Sequence, residues 1–291
     1  MQKMTTTVAV IGVGRMGRPM AIRLISAGLA VRLWDRSPTS TSGLVDAGAI
    51  LASSPAEAVA GADVVLTMLV DGQAVYDAMT GPGGALADAD SRFVWLQMST
   101  VGIDWTDRLA ELAAEHNVSF VDAPVSGSVV PAATGSLLIL ASGPDELRDL
   151  VAPVLDAMGR RTLWLGPAGA GSRTKLVLNN WLVDLVETTA EALRFGRALG
   201  LDPELIVDLL EGAPIGSPYA VDKARHMLAG EFAPNFALKH AVKDADLALA
   251  AASSAGSDLQ VTRGFIDSWH RSMANGQGER DLSVVYADGD A

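Results

Sequence analysis

VAVIGVGRMG, residues 8–17, begins with four small or β-branched apolar residues and continues with glycines at positions 12, 14 and 17. The apolar run favours a buried strand, and the spacing G-x-G-x-x-G is typical of a tight turn from a strand into a helix. The periodicity of residues 16–27 predicts that helix, and Gly28 is a natural stop for it. The chain is therefore predicted to open with a strand–turn–helix unit.

Strand-like apolar runs recur along the first half of the chain. After the opening strand they occur at residues 31–34, 64–68, 93–96 and 119–121. Helix-like stretches such as residues 105–115 lie between them. Strands that alternate with helices need crossover connections, so this pattern predicts a parallel sheet. Two later runs, residues 136–141 and 162–165, could extend that sheet.

Helical periodicity replaces this alternation in the second half. The segments with that periodicity are residues 172–199, 203–212, 217–229 and 238–254. We therefore predict an α/β Rossmann-type domain over residues 1–166 and an all-α domain over residues 167–291. A long connecting helix from Ser172 joins them, after the Gly-rich run 166–171. From about Asn275 the Gly- and Asp-rich composition predicts a poorly ordered tail.

Composition excludes several classes of function. The 291 residues include 22 Lys and Arg against 34 Asp and Glu, a formal net charge of −12. This balance disfavours nucleic acids and anionic membranes as partners, and the absence of cysteine excludes disulfides and thiolate nucleophiles. No apolar run approaches the ~18–20 residues that cross a bilayer. We expect a cytoplasmic protein that binds a small molecule and no metal ion.

The glycine-rich turn is the first candidate binding site. Between a strand and a helix, Gly12 permits the tight turn, Gly14 lets the backbone approach a pyrophosphate, and Gly17 allows close helix–strand packing. A glycine turn without a ligand is the alternative. The dinucleotide interpretation predicts contacts at Gly12, Val13, Gly14, Arg15, Met16 and Gly17.

The end of the second predicted strand bears on the choice of cofactor. Asp35 stands where an acid binds the ribose hydroxyls of NAD and repels a 2′-phosphate. Arg36 and Ser37 follow at once and are the donors that a 2′-phosphate needs. The two patterns conflict, and we predict a slight preference for NADP(H) over NAD(H).

The string DAPVSGS, residues 122–128, is the second candidate site. Pro124 and Gly127 fix an irregular backbone after a strand, which leaves Ser126 and the neighbouring N–H groups free to hold a carboxylate. A purely structural turn is the alternative.

Lys175 and Asn179 form the third candidate site, because a spacing of four places both on one face of the connecting helix. Apolar neighbours disfavour a freely solvated ammonium group, and burial depresses the pKa of a lysine towards the range useful for proton transfer. The alternative is a lysine that extends its charge to the helix surface.

An ordered series of motifs connects these sites to a known family. It comprises the glycine-rich turn, DAPVSG at residues 122–127, Lys175-x-x-x-Asn179, and Lys243-Asp244 followed by Leu247-Ala248. On these motifs, which span nearly the whole chain, the sequence resembles the β-hydroxyacid dehydrogenases. That family includes 3-hydroxyisobutyrate dehydrogenases and glyoxylate/succinic semialdehyde reductases.

The resemblance implies NAD(P)-dependent hydride transfer between the nicotinamide and a small β-hydroxyacid or its aldehyde, ketone or semialdehyde counterpart. Lys175 is then the general acid/base and Asn179 orients the substrate. Implied substrate contacts are Ser126, Gly127, Ser128, Thr100, Lys243 and Asp244. Implied further cofactor contacts are Met68, Leu69, Val70, Ser99, Thr100 and Lys243. A homodimer or homotetramer through the helical domain is also implied.

Departures from the family pattern and two alternatives remain. Ser128 and Pro131 replace family glycines, so the natural substrate need not be 3-hydroxyisobutyrate. Leu178 replaces the histidine of the related 6-phosphogluconate dehydrogenases, and imine reductases generally lack the lysine. The alternatives are an imine reductase or reductive aminase that uses NADPH, and a non-catalytic module that senses a dinucleotide.

Overall fold

The computed structural model describes residues 6–87 and 92–288. The chain divides into two compact units, Met1–Lys175 and Leu176–Ala291. The predicted fold class is confirmed: a Rossmann-type sheet with helices is followed by a helical region, and the long helix Ala170–Ala198 is shared by both units.

Six strands form the main sheet of the first unit. They are β1 (Thr7–Ile11), β2 (Ala30–Trp34), β3 (Ile50–Leu51), β4 (Val64–Thr67), β5 (Val94–Gln97) and β6 (Ser119–Asp122). All their pairings are parallel and the spatial order is β3-β2-β1-β4-β5-β6. The order reverses between β1 and β4, which is where open α/β sheets form a ligand crevice at their carboxyl ends.

Helices cover both faces of this sheet. In the first unit they are α1 (Gly17–Ser26), α2 (Pro55–Val59), α3 (Gly72–Thr80), α4 (Ile103–Glu115), α5 (Val129–Thr134) and α6 (Arg148–Met158). Side chains of β1 alternate between two apolar clusters: Val8 and Val10 lie in one, and Ala9 and Ile11 lie in the other. Burial on both faces explains why the strands are continuous apolar runs.

The two later strand-like runs do not extend the main sheet, so that prediction is wrong. β7 (Val125–Ser126), β8 (Leu137–Ala141) and β9 (Gly159–Trp164) form a separate three-stranded sheet. β8 is antiparallel to β7 and parallel to β9. The last residue of β6, Asp122, makes an isolated antiparallel bridge with Ser142. Pro124, which has no N–H to donate, follows and helps to end the ladder there.

The second unit is helical, as predicted. Beyond α7 (Ala170–Ala198) its elements are α8 (Pro203–Gly212), α9 (Pro218–Ala229), α10 (Leu238–Ser254), α11 (Gln260–Ser272), a π-helical turn (Met273–Gln277), a 3₁₀ turn (Leu282–Val284) and α12 (Val285–Asp288). Asp202 caps α8 by accepting from the backbone N–H of Glu204, and Pro203 occupies the first helical position. Such a start signal favours a close prediction of the helix bounds. The predicted segments match α7 to α10 within two residues, whereas α11 and α12 were not predicted.

The predicted tail is wrong for residues 275–288. Leu282 and Val284 are fully buried and Tyr286 is nearly so, within the apolar cluster of the second unit. The Gly- and Asp-rich composition therefore conceals a short apolar segment that completes the core. Residues 289–291 of the predicted tail lie outside the described residues.

Candidate active site and cofactor groove

The turn after β1 requires glycine at two of its three glycine positions. Gly12 has φ +98°, and a Cβ there would lie 2.4 Å from the carbonyl oxygen of Met68. A Cβ on Gly17 would lie 2.0 Å from the carbonyl oxygen of Gly12. The turn and the start of α1 thus pack against each other and the end of β4 with no room for a side chain.

Gly14 differs from the other two glycines. Within the described part of the chain no atom lies within 4 Å of a Cβ placed there, so folding alone does not demand glycine. The backbone of Gly14 instead faces a groove of about 540 Å³. The groove is lined by Val13, Gly14, Arg15, Arg18, Ser40 and Ser42. Bare backbone beside arginine and serine side chains fits the close approach of a pyrophosphate.

The start of α1 can accept an anion. Over the described residues no side chain caps it and its first turn contains no acidic residue. The N-terminal end of a helix attracts negative charge through its N–H groups and dipole. A dinucleotide phosphate therefore fits the residues that are present.

Asp35, at the end of β2, holds the glycine-rich turn in place. Its two carboxylate oxygens accept hydrogen bonds from the backbone N–H groups of Val13 at 2.7 Å and Ser37 at 2.8 Å. Arg36 and Ser37 are exposed beside it. Arg18 donates to the carbonyl oxygen of Ser40 at 2.9 Å, which fixes one side of the groove. Arg18 was not predicted, although it follows Gly14 by one helical turn.

The predicted cofactor contacts at residues 68–70 and 99–100 lie together at the carboxyl ends of β4 and β5. The hydroxyl of Ser99 accepts from the backbone N–H of Leu69 at 2.9 Å, and the backbone N–H of Ser99 donates to Gln97 at 2.7 Å. Ser99 is fully buried, Thr100 is half-buried, and Val70 is exposed. The Ser99 hydroxyl therefore holds the segment 68–70 in place.

A buried polar network beneath these segments was missed by the sequence interpretation. Trp95 donates to Thr67 at 3.0 Å, and the amide of Gln97 donates to the carbonyl oxygen of Ser99 at 2.9 Å. One glutamine at the end of an apolar strand was the available clue.

The predicted carboxylate site, residues 126–128, lies in the turn after β6. Ser126 lies in β7 and is partly exposed, and Gly127 has φ +132°. A Cβ on Gly127 would lie 3.0 Å from both Pro131 and Leu137. Pro131, one of the departures from the family pattern, thus packs directly on this turn. Ser128 is the residue before α5, and within the described residues its side chain makes no capping bond.

Lys175 lies on α7 and only 9% of it is exposed. Asn179 is four residues further along the same helix and is also buried. The structure therefore confirms that the two residues share a helix and that the lysine is not freely solvated. Their roles stay predictions.

Asn179, Lys243 and Asp244 meet in the second unit. The Asn179 amide donates to Asp244 at 2.5 Å, and the Lys243 ammonium lies 3.2 Å from the other carboxylate oxygen of Asp244. Burial lowers the pKa of the neighbouring His240, as do Lys243 and Lys239. The hydrogen bond between Asn179 on α7 and Asp244 on α10 joins the two helices and fixes the orientation of the Asn179 amide.

The start of α10 depends on a buried carboxylate that the sequence interpretation missed. Asp281 accepts from the Lys223 ammonium at 2.8 Å and from the backbone N–H groups of Asn235 at 3.0 Å and Phe236 at 3.1 Å. Lys223 and Asp281 are both about 2% exposed. Burial opposes ionisation of Asp281, but the Lys223 bond and the backbone bonds outweigh it and lower its pKa.

Two negative findings apply to residues 6–87 and 92–288. No helix there has the length and apolarity that a membrane span requires. No group of three or more His, Asp or Glu side chains is arranged to hold a metal ion in that part of the chain.

Comparisons with known proteins cover both units. Residues 7–166 match the family described as the NAD binding domain of 6-phosphogluconate dehydrogenase, and residues 169–287 match the NAD-binding domain of NADP-dependent 3-hydroxyisobutyrate dehydrogenase. Glyoxylate/succinic semialdehyde reductase 2 of Arabidopsis thaliana is 32% identical over 281 residues, which are 97% of this chain and 78% of the relative. The chain belongs to the β-hydroxyacid dehydrogenase family.

A solved β-hydroxyacid dehydrogenase has the same fold over its full length. The 3-hydroxyisobutyrate dehydrogenase of Mycobacterium tuberculosis, determined with L-serine, superimposes with a TM-score of 0.89 and 30% identity over 99% of this chain and 100% of its own. An imine reductase from Pseudomonas sp. is less similar, with a TM-score of 0.65 and 22% identity over 98% of this chain and 99% of its own. The predicted family, fold and NAD(P)-dependent oxidoreductase class are confirmed.

Proposed function

We propose that this β-hydroxyacid dehydrogenase uses Lys175 as the general acid/base in hydride transfer to or from a small β-hydroxyacid or its carbonyl counterpart. The observation that carries the proposal is the buried Lys175 in the same unit as the glycine groove and the Ser126–Gly127 turn. The nicotinamide cofactor supplies and accepts the hydride when bound.

The protein residues bind the substrate and move the proton. During reduction, protonated Lys175 gives its proton to the developing alkoxide oxygen; during oxidation, neutral Lys175 takes the proton of the alcohol. Ser126 and the backbone of Gly127 hold the substrate carboxylate. We assign substrate orientation to Asn179, whose amide Asp244 fixes, with Lys243 beside them.

Lys243 and Asp244 are also part of the proposed substrate set, with Ser128 and Thr100. The proposed cofactor set is Gly12, Val13, Gly14, Arg15, Met16, Gly17, Asp35, Arg36, Ser37, Met68, Leu69, Val70, Ser99, Thr100 and Lys243.

Gly14→Ala tests the cofactor assignment most cleanly, because a Cβ there meets no described atom. We expect stability to change by less than ~0.5 kcal/mol and NADPH affinity to fall about tenfold, or ~1.4 kcal/mol.

The matched control is Gly264→Ala in α11, where a Cβ also meets no atom of the described chain. It should leave NADPH affinity unchanged. Equal affinity of Gly14→Ala and the unmodified protein in a fluorescence titration would remove the groove from the cofactor site.

We propose a slight preference for NADP(H) over NAD(H). Both oxygens of Asp35 already accept backbone hydrogen bonds, and Arg36 is exposed beside it. Arg15 and Arg18 add positive charge to the groove. The ratio of kcat/KM for NADPH and NADH decides the preference. Arg36→Ala should lower that ratio about tenfold, roughly the strength of one charge-assisted contact, and an unchanged ratio would contradict this role.

The substrate class follows from chemistry that the relatives share. Glyoxylate, succinic semialdehyde and L-serine, which occur in their names, are all small carboxylates with an oxidisable or reducible carbon. A panel that follows cofactor absorbance should include reduction of glyoxylate and succinic semialdehyde and oxidation of L-serine and 3-hydroxyisobutyrate, each with both cofactors.

The same panel tests the alternatives. Cyclic imines reduced faster than every carbonyl compound would favour an imine reductase. Cofactor binding with no turnover of any compound would favour a non-catalytic sensor. We expect turnover of at least one carboxylate-bearing carbonyl compound, because Lys175 and Ser126 both lie in the cofactor-binding unit.

We also propose that residues 1–166 bind the cofactor and residues 167–291 bind substrate and form a homodimer or homotetramer. Large apolar side chains of the second unit are exposed in the single chain. They include Val177, Trp181, Phe195, Leu209 and Ile215. An interface between chains would cover apolar side chains of this kind. Light scattering after size exclusion should show two or four chains, and a monomer at micromolar concentration would contradict the proposal.

A further inference from the structure

Asp122, at the end of β6, is a fully buried carboxylate that the proposed chemistry does not use. It accepts from the Ser172 hydroxyl at 2.7 Å, the Ser172 backbone N–H at 2.8 Å and the Ser142 hydroxyl at 3.2 Å. Burial raises the pKa of Asp122, and these hydrogen bonds offset the rise only in part. An interior carboxylate with this many donors is a costly feature that needs a reason.

These donors fix the first turn of α7. The backbone N–H of Gly171 also donates to the Ser142 hydroxyl, at 2.9 Å. A Cβ on Gly171 would lie 2.1 Å from the carbonyl oxygen of Leu140 and 3.1 Å from the Asp122 carboxylate. The helix start is therefore pressed against the ends of β6 and β8, at a distance that only glycine permits.

The Asp122 carboxylate connects two segments of the first unit that carry proposed site residues. Along the chain, Asp122 leads within four residues to Ser126, the proposed carboxylate-binding residue. Across space it holds Ser172, which precedes Lys175 by three residues and shares a face of α7 with it. One side chain thus ties the segment that carries Ser126 to the helix that carries the buried lysine.

We propose that Asp122 is a positioning residue for the reaction, which acts through Ser172 to set Lys175 relative to the Ser126–Gly127 turn. The proposal rests on the proposed role of Lys175. Misplacement of a catalytic group by about 1 Å costs on the order of 10²-fold in rate. A carboxylate that fixes both elements at once limits such misplacement.

Asp122→Asn tests the proposal because it keeps the shape of the side chain and removes its charge and one acceptor oxygen. We expect kcat for NADPH-dependent reduction of succinic semialdehyde to fall about 10²-fold. NADPH affinity and the number of NADPH molecules bound per chain should stay within about twofold of those of the unmodified protein. The fall in kcat then reflects slower turnover at intact cofactor sites. Turnover close to that of the unmodified protein would overturn the proposal.

A double-mutant cycle separates positioning from general damage. If Asp122 acts through Lys175, adding Asp122→Asn to Lys175→Ala should not lower the residual turnover further. Losses that multiply would contradict the proposal. High turnover of Lys175→Ala alone would defeat the proposed function and this inference together, whereas inactive Lys175→Ala with active Asp122→Asn defeats only the inference.

Ser172 provides a second test that applies even if Asp122→Asn does not fold. Ser172→Ala should lower kcat, and Ser172→Thr, which keeps the hydroxyl, should restore it. The matched control is Thr189→Val, which removes another buried hydroxyl of α7, bonded to the carbonyl oxygen of Leu185. It should leave kcat unchanged. Equal kcat for Ser172→Ala and the unmodified protein would overturn the proposal.

Discussion

Each unit of the protein contains a buried carboxylate that lies against the start of a helix, and that helix carries residues of the proposed site. Asp122 lies against the first turn of α7, which carries Lys175. Asp281 lies against the start of α10, which carries Lys243 and Asp244. Both carboxylates therefore meet the same structural need, which is to join a helix start to a distant segment of the chain.

The two carboxylates differ in how they are held. Asp122 accepts hydrogen bonds from hydroxyl and backbone N–H groups, which are neutral, and burial raises its pKa. Asp281 is paired with the buried Lys223, and its pKa is lowered despite burial. A neutral set of donors tolerates loss of charge, whereas an ion pair makes each partner depend on the other.

The largest loss in free energy of unfolding is expected from Lys223→Met. Removing the cation leaves Asp281 buried with only neutral donors, and breaking a buried pair in this way costs about 3–5 kcal/mol. Urea unfolding should show the loss as a lower midpoint. The control is Lys239→Met, whose ion pair with Glu279 is exposed and should contribute less than ~1 kcal/mol. Similar midpoints for the two variants would show that the buried Lys223–Asp281 pair contributes no more to stability than the exposed pair.

A smaller effect is expected from Ser172→Ala. The variant removes one neutral donor from Asp122 and leaves the backbone N–H of residue 172 in place. An unsatisfied buried acceptor costs about 1–3 kcal/mol. The free energy of unfolding from the same urea series should therefore fall by less than it does for Lys223→Met, and an equal or larger fall would show that the charge of Lys223 is unimportant.

The dependence of stability on pH should have opposite signs at the two sites. The raised pKa of Asp122 favours folding below its unfolded value of 3.8, and this contribution is lost as pH rises through the folded pKa. The lowered pKa of Asp281 favours folding above 3.8, and this contribution is lost as pH falls through the folded pKa.

These signs can be read from two asparagine variants. The stability lost in Asp122→Asn should shrink as pH rises above 3.8 and through the raised pKa of Asp122. The loss in Asp281→Asn should be full over that range and shrink only in more acidic solution. If the loss in free energy of unfolding depends on pH in the same way for both variants, the pKa values of the two carboxylates are not shifted in opposite directions.

The smallest effect is expected from an exposed pair in the first unit. Arg173 lies 3.2 Å from Asp107, and both side chains are about half exposed. Such pairs contribute about 0–1 kcal/mol. Arg173→Ala should therefore change the urea midpoint little, although Ser172→Ala at the neighbouring position is expected to lower it. A loss above about 1 kcal/mol would mean that position near the start of α7, rather than burial, sets the cost.

Local sequence patterns predicted most of the fold and the cofactor turn. The glycine spacing, the apolar runs and the helix starts each depend on residues a few positions apart, and the structure confirms them. β3 has only Ile50 and Leu51, too short for a periodicity to show. Apolar runs do not name their partner strands, so the separate sheet of β7, β8 and β9 could not be foreseen.

The supports of the site could not be predicted, because their partners are far apart in sequence. Asp122 and Ser172 are separated by 50 residues, and Lys223 and Asp281 by 58. In the sequence, Asp122 stands out only as part of the string 122–128, and Asp281 falls within the predicted tail. Long-range hydrogen bonds of this kind follow from the folded chain, and no spacing rule reveals them.

We expect turnover to depend on the buried side chain of Lys175. The most direct measurement is kcat of Lys175→Ala for NADPH-dependent reduction of succinic semialdehyde, normalised to bound NADPH and compared with the exposed-lysine control Lys239→Ala. We predict a fall of about 10²–10⁴-fold, with NADPH affinity unchanged and the control fully active. Turnover of Lys175→Ala close to that of the unmodified protein would contradict this expectation.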